Sequence, residues 1–286
     1  MKYGFIATHE GQFQIRRMCC TLGVKRSGYY AWRKRTPSPR EQENQQLVEQ
    51  IKKEHHKSRQ TYGSPRIHAA LQRTGITCGR HRVARLMRQN GIVALRSPKR
   101  RPVTTKRHAG ALAAPNLLRQ DFSASGPNLK WVSDITYINT QEGWLYLASV
   151  LDLYSRMVVG WAMADHMGTS LVDDALHMAL SRRHPGPGLI HHSDQGSQYT
   201  SYAYQQRLLD YHCLASMSGV GNCYDNATAE SFFGTLKTEC AAVPFADRTQ
   251  ARSAIFEYIE VWYNRQRLHS SLGYKSPMEF ELYSRH

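Results

Sequence analysis

Three acidic residues fall where an acid is costly or conspicuous: Asp134 in the run WVSDITYI, Asp194 in HHSDQGSQYT, and Glu230 in NCYDNATAESFFGTLKTE. Asp134 interrupts an otherwise apolar segment, and a lone buried carboxylate costs several kcal/mol unless it is paired, protonated or metal-bound. An aspartate on the solvated face of a strand would need no such partner, and both readings stay open. Asp194 lies at the terminus of a short expected strand, LIHHSD, and is followed by Gly196, which permits close backbone approach to a ligand. An Asx turn explains the same pattern. Glu230 lies seven residues before Lys237, so on a helix both project from nearly the same stripe, about 10 Å apart at 1.5 Å per residue. One can hold a metal while the other grips a phosphate beyond it. Carboxylate-only sites suit hard ions such as Mg²⁺ or Mn²⁺. Two such ions about 4 Å apart can activate the attacking oxygen and stabilise the leaving one in phosphodiester displacement.

The elements that must position these acids are legible downstream of Trp131. The runs WVSDITYI, WLYLASVLDLYS and MVVGWAMAD are rich in branched and aromatic residues and predict three successive strands, the second central. TSLVDDALHMALSRR predicts a helix capped by Thr169 or Ser170, with Leu171, Ala175, Met178 and Ala179 inward. A short strand LIHHSD, a helix SYAYQQRLLDYH and a strand CLASMS follow. Two long helices close the chain, DNATAESFFGTLKTEC, anchored by Phe232, Phe233 and Leu236, and RTQARSAIFEYIEVWYNRQR. In the last, Ile255, Tyr258, Ile259 and Trp262 recur at helical spacing, and Arg265, Arg267 and His269 beyond them either touch DNA or are solvated. Three antiparallel strands followed by alternating helix and strand is the order of an RNase H-like α/β fold with a mixed five-stranded sheet. An all-α helix-turn-helix region precedes it.

That region carries the charge. The chain has 286 residues and a net charge of +16, yet residues 1–110 hold 25 Lys+Arg against 5 Asp+Glu, while residues 111–286 hold 13 against 17. A surplus confined to one part is the electrostatic footprint of a phosphate-binding surface. Two helix-turn-helix-like passages lie there. The first places Ile15, Met18, Cys19 and Leu22 before Gly23, then Tyr29, Tyr30 and Trp32, with Lys25, Arg26, Arg33, Lys34 and Arg35 around the second helix. After the break TPSPRE, a helix with Leu47, Val48 and Ile51 on one face begins. The second passage places Ile67, Ala70 and Leu71 before Gly75, and Val83, Leu86 and Met87 after it. Arg80, Arg82, Arg85 and Arg88 decorate its second helix, as groove or backbone docking requires. The expected organisation is a helix-turn-helix-like segment over 1–40, a basic helical DNA-binding domain over 41–98, a linker over 99–128, and the catalytic core over 129–286.

Composition excludes several classes. No stretch approaches eighteen uninterrupted apolar residues, which argues against a membrane span. Six cysteines without a CxxC pair, and no charged-then-apolar leader, argue against a disulfide framework, a thiolate zinc site and secretion. A cytoplasmic protein is expected.

Taken together, the segments around Asp134, Asp194 and Glu230, with 35 residues between the last two, resemble the DDE catalytic core of bacterial insertion-sequence transposases related to retroviral integrases. The opening MKYGFI through GVKRSGYYAW, the YGSPRI passage and the ending YNRQRLHSSLGYKSPMEF resemble the second open-reading-frame product, OrfB, of a large insertion-sequence family, so the similarity spans nearly the whole chain. The resemblance implies that Asp134, Asp194 and Glu230 hold two Mg²⁺ ions, with Mn²⁺ a substitute, and that Lys237 contacts transposon-end DNA. Asp225 and Asn226 match the family's YDNA motif, as helix-capping groups or supports that orient the metal ligands. Ser193, Gly196 and Tyr199 match the pattern around Asp194, and His191 and His192 are expected to pack or support rather than ligate.

The implied chemistry is strand cleavage followed by strand transfer: water frees a 3′-hydroxyl at the element's end, and that hydroxyl attacks another phosphodiester without a covalent protein–DNA intermediate. The implied partners are DNA, as terminal inverted repeats and target, further copies of the chain in a homo-multimer, and an upstream OrfA product or OrfAB frameshift fusion. The chain starts with Met1 and shows no leucine heptads, so the upstream part is expected to be separate. Bacterial cytoplasm, at the nucleoid, is the expected location. Two other functions fit the same residues, a DNA-binding regulator with an inactive core and an RNase H-like nuclease that hydrolyses without transfer.

Overall fold

A computed structural model describes residues 1–95, 114–219 and 223–284. Residues 96–113, which include the first half of the linker expected over 99–128, lie outside the described residues. The chain divides into two compact units, Met1–Lys52 and Lys53–His286.

The first unit holds α1 (Lys2–His9), α2 (Ile15–Thr21), α3 (Arg26–Arg33) and most of α4 (Pro39–Lys57). Its small core is Ile6, Met18, Cys19 and Tyr29, the apolar positions that recur at helical spacing. Gly23 supplies the left-handed turn between α2 and α3 at φ 61°, a conformation that costs glycine nothing. Glu10 ties α1 to α3 by accepting from the Tyr29 hydroxyl and from Arg33 Nη1, both at 2.8 Å.

The second unit begins with a helix pair, α5 (Ser64–Arg73) and α6 (Arg80–Gln89), turned at Gly75 with φ 81°. Ile67, Ala70 and Leu71 of α5 and Val83, Leu86 and Met87 of α6 are buried, as their spacing requires. The C-terminal segment holds this pair. The Tyr62 hydroxyl accepts from the Leu268 backbone N–H at 2.6 Å, Arg59 pairs with Glu257, and Arg73 pairs with Glu279.

The sheet follows as β1 (Lys130–Thr140), β2 (Gly143–Asp152), β3 (Val158–Ala164), β4 (Ile190–Ser193) and β5 (Leu214–Met217), in spatial order β3-β2-β1-β4-β5. The first three strands form an antiparallel meander, and β4 and β5 add in parallel beside β1. This is the mixed five-stranded sheet expected from the strand order. The helix α7 (Thr169–Arg183) covers β2 and β3, and α8 (Tyr202–Asp210) packs at β5. Between them lies a core of Trp131, Val150, Leu171, Leu176, Leu180 and Tyr204. Gly160 makes that seat possible: a Cβ there would come within 2.2 Å of the Ala175 carbonyl oxygen on α7. Two more helices, α9 (Ala227–Glu239) and α10 (Arg248–Glu257), pack against β1, and α11 (Pro277–Tyr283) ends the described chain. Among the described residues no helix is long and apolar enough to cross a membrane.

Two local expectations are corrected. Neither Thr169 nor Ser170 caps α7: the N-cap is Gly168, in extended backbone with no side-chain cap bond, and glycine at this position costs only a few tenths of a kcal/mol relative to serine. The last long helix is also interrupted. After Glu257 the backbone widens into a π-helical turn, Tyr258–Tyr263, in which Asn264 N–H donates to the Ile259 carbonyl at 3.1 Å. Tyr258, Ile259, Trp262 and Tyr263 are all buried within it; such turns concentrate at functional sites.

Candidate active site

The parallel pairing of β1 with β4 runs Lys130↔Ile190, Trp131↔His191 and Val132↔His192. Two residues further along both strands stand Asp134 and Asp194, so the register that builds the sheet also juxtaposes the two acids. The chain leaves β1 toward β2 on one side and β4 toward β5 on the other. A crevice at the carboxyl ends of strands where the winding reverses is where open α/β sheets bind ligands.

Each aspartate is fixed by its own backbone. Asp134 Oδ1 accepts from the Ile135 N–H at 2.8 Å. Asp194 Oδ1 accepts from the Gly196 N–H at 2.9 Å, the Asx turn that the sequence allows, and a Cβ at Gly196 would press to 3.0 Å of that oxygen. Below them is a buried polar layer. His191 Nε2 lies 2.9 Å from Ser133 Oγ and 3.2 Å from the Tyr204 hydroxyl, and His192 Nδ1 lies 2.8 Å from Ser216 Oγ. Burial, then His192, holds His191 down to about 3, and burial brings His192 to about 4, so both rings are neutral near pH 7. They are packing groups beneath the acids. Tyr199 is buried nearby, and Ser193 Oγ donates to the Asp194 carbonyl.

The third acid arrives on α9. Phe232, Phe233 and Leu236 are buried, which leaves Glu230 exposed. Lys237 Nζ lies 4.3 Å from the centroid of the Tyr137 ring on β1, and Tyr137 makes an edge contact with Trp144 on β2. Tyr137 was absent from the residues read off the sequence, where it passes as one more strand aromatic; its 47% exposure marks it out.

The reading of Asp225 and Asn226 as helix caps is corrected. Asn226 occupies the N-cap position of α9 but makes no capping bond, and its buried Oδ1 has no partner. Asp225 is buried and pins the approach to α9 instead, accepting at Oδ2 from Asn116 Nδ2 and from the Gly219 N–H, both at 2.9 Å.

The electrostatics bind the three acids into one system. Burial first, then the charge of Asp194 and that of Glu230, push the Asp134 carboxyl up to about 8, against the opposing pull of the Ile135 N–H and Lys237. Burial also raises Glu230. Among the described residues no three His, Cys, Asp or Glu side chains converge closely enough to hold one ion. The acids therefore share a field without sharing a coordination point. Oxygen-only donors that repel one another are the complement of a hard divalent cation, so the residues present fit such an ion.

The basic residues separate into solvated and engaged groups. Lys25 and Arg26 at the start of α3, and Arg80, Arg85 and Arg88 on α6, are exposed; Arg82 is half-buried. Arg267 and His269, expected to be solvated or on DNA, are buried. Arg267 forks onto Glu239, its Nε and Nη2 donating at 2.9–3.0 Å, while burial and the nearby guanidinium of Arg267 drive His269 down to about 2.

Three family models match this chain: two distinct integrase core domain families, over residues 124–223 and 230–284, and an HTH-like domain, over residues 41–101. A 31 kDa protein of insertion element IS600 from Shigella sonnei is 47% identical over 264 residues, 92% of this chain and 97% of that one. The transposase InsF of insertion sequence IS3A from Escherichia coli K12 is 46% identical over 284 residues, 98% of each chain. Among solved structures, the catalytic core domain of the HTLV-2 integrase in complex with magnesium matches 56% of this chain and 99% of its own, at 16% identity and a TM-score of 0.42.

Proposed function

The chain belongs to the insertion-sequence transposases with an integrase core and is a DNA transposase of an insertion sequence; on that premise we propose that Asp134, Asp194 and Glu230 are its catalytic acids. The carrying observation is the position of Asp134 beside Asp194 at the β1–β4 junction, with its carboxyl raised to about 8 by burial and by the other two acids. We assign these carboxylates two Mg²⁺ ions, with Mn²⁺ a substitute. When bound, the ions would supply activation of the attacking oxygen and stabilisation of the leaving one.

The chain's own residues hold the reacting groups. The Ile135 and Gly196 N–H groups each fix one oxygen of an aspartate and so orient the carboxylate. The helix α9 brings Glu230 from the opposite element, and Lys237, seven residues on, is the group that grips transposon-end DNA. Exposed Lys25, Arg26, Arg80, Arg85 and Arg88, with Arg82 at the edge of the same helix, supply backbone contacts that position the duplex without reading its sequence. Asp225 and Asn226 support α9 from its N-terminal end. The reaction is metal-dependent strand cleavage, then transfer of the freed 3′-hydroxyl to a second phosphodiester, carried out in the cytoplasm at the nucleoid by a multimer that acts with an upstream OrfA product or as its fusion.

The test uses labelled DNA carrying the element's ends, with Mg²⁺ or Mn²⁺, comparing the chain alone with its fusion to the upstream frame. Joined products that vanish in Asp134→Asn, Asp194→Asn and Glu230→Gln while DNA binding persists support the assignment. Cleavage without joining makes the protein a nuclease. Binding without either reaction, under both metals and in the fusion, makes it a regulator.

A further inference from the structure

Two sequence motifs that catalysis leaves unused meet in one place. The YGSPRI segment contributes Tyr62 and Arg66, the YNRQRLHSSLGY segment contributes Arg267, His269 and Ser271, and the Tyr62–Leu268 hydrogen bond joins them. Beside this junction opens a cavity of about 330 Å³, lined by Arg66, Arg156, Arg267, His269, Ser231 and Ser271. Its wall is the flank of α9, the helix that carries Glu230.

The charges in this cavity do not balance. Arg267 is neutralised by Glu239, and Glu239 is saturated, since its Oε2 also accepts from the Tyr258 hydroxyl and Trp262 Nε1 at 3.0 and 3.1 Å. Among the described residues neither Arg66 nor Arg156 forms an ion pair. Arg66 lies over the Tyr62 ring at 5.6 Å, and its buried Nε has no hydrogen-bond partner. Among the described residues the Arg156 guanidinium donates to a neutral acceptor, Thr228 Oγ1 at 2.9 Å, two residues before Glu230. Arg156 is also held at φ 62°, a left-handed conformation unusual for a long side chain and one that concentrates at functional sites. His269, facing these guanidinium groups, is neutral and adds no compensation. Both guanidinium groups are half-buried, and cations withdrawn from water without an acid partner are complemented by an anion.

Guanidinium forks ringed by serine and threonine hydroxyls match the oxygens of a phosphate group. A cavity of this size lies at the low end of those that enclose a whole small ligand, large enough for one phosphate group. We propose that the cavity is a phosphate site, in which Arg66 and Arg156 clamp one backbone phosphodiester of bound DNA on the flank of α9 beside Glu230. The site is separate from the Lys237 contact and rests on the reading of the protein as a DNA transposase.

The experiment is titration of a fluorescent duplex by the full chain at several NaCl concentrations, with thermal melting as the check of folding. Losing one phosphate contact lowers the slope of log K against log salt by about 0.9. Arg66→Gln/Arg156→Gln is expected to lose that amount and to bind roughly tenfold more weakly at low salt, with a melting temperature no lower than the wild type because surplus positive charge has been removed. Ser271→Glu, an exchange at an exposed rim position, is expected to block the cavity with the same slope loss, and Arg156→Lys to retain the slope. An unchanged slope in Ser271→Glu and in the double variant overturns the proposal; if the double variant does not fold, Ser271→Glu decides. A free-phosphate site is the other source of the same chemistry. Inorganic phosphate that binds the wild type and not Ser271→Glu, with equal duplex slopes, overturns the DNA assignment. Absence of duplex binding by the wild type both alone and fused to the upstream frame would instead sink the reading of the protein as acting on DNA, a result distinct from failure of the cavity alone.

Discussion

The Lys237 ammonium rests 4.3 Å from the centre of the Tyr137 ring, so α9 is tied to β1 three residues beyond Asp134. With the ring 47% exposed, a contact of this kind is worth about 0.5–1 kcal/mol, little enough for a DNA phosphate to compete for the lysine. Lys237→Ala is expected to weaken binding of an element-end duplex roughly tenfold and to lower the salt slope by about 0.9. Tyr137→Leu should leave the slope unchanged, because the ring carries no charge. Salt-dependent anisotropy titrations check both, and equal slopes in Lys237→Ala and wild type would remove Lys237 from the DNA contact.

Divalent metal is expected to stabilise the free protein. Ligands that bind only the folded state add RT ln(1 + [L]/Kd), about 2.7 kcal/mol at a hundredfold excess over Kd. Mg²⁺ should therefore raise the melting temperature of the wild type and EDTA reverse it. Asp134→Asn and Glu230→Gln should melt at the same temperature with and without the ion. A shift that persists in both variants would place the metal elsewhere.

Acid should destabilise the fold through His269. Its ring is held to about 2 in the folded chain, against 6.5 as its ordinary value, so between these limits the unfolded chain binds the extra proton. Stability from this group is complete above about pH 6.5 and declines as pH falls, by up to about 1.4 kcal/mol per pH unit. Urea unfolding of wild type and His269→Gln at pH 7 and pH 5 tests this. The loss between the two pH values should be smaller in the variant.

The Arg267–Glu239 fork sits with its side chains only 6% and 3% exposed. Removing one partner of a buried pair leaves the other uncompensated and costs about 3 to 5 kcal/mol. Glu239→Gln should lower stability by that order in denaturant titration and, through α10 and the π-helical turn, reduce joining activity. An exchange within 1 kcal/mol of wild type would mean that solvent reaches Arg267.

What the sequence determined is the local chemistry and the order of elements. An aspartate in an apolar strand, an aspartate at a strand end before glycine, and a glutamate seven residues before a lysine on an amphipathic helix are patterns of period two and 3.6, and periodicity is a property of neighbours along the chain. The basic helix pairs were legible for the same reason, since Gly23 and Gly75 punctuate matching apolar stripes. What only the tertiary structure decided depends on partners distant in sequence. Arg267 and His269 look solvated until Glu239, 28 residues upstream of Arg267, is folded against them. Asp225 looks like a cap until Asn116, more than a hundred residues away, donates to it. The widened turn at Tyr258–Tyr263 carries no breaker residue that would mark it in the sequence. Arg66 and Arg156, ordinary basic residues in the sequence, become a pair because packing places them on one cavity where, among the described residues, no acid pairs with either.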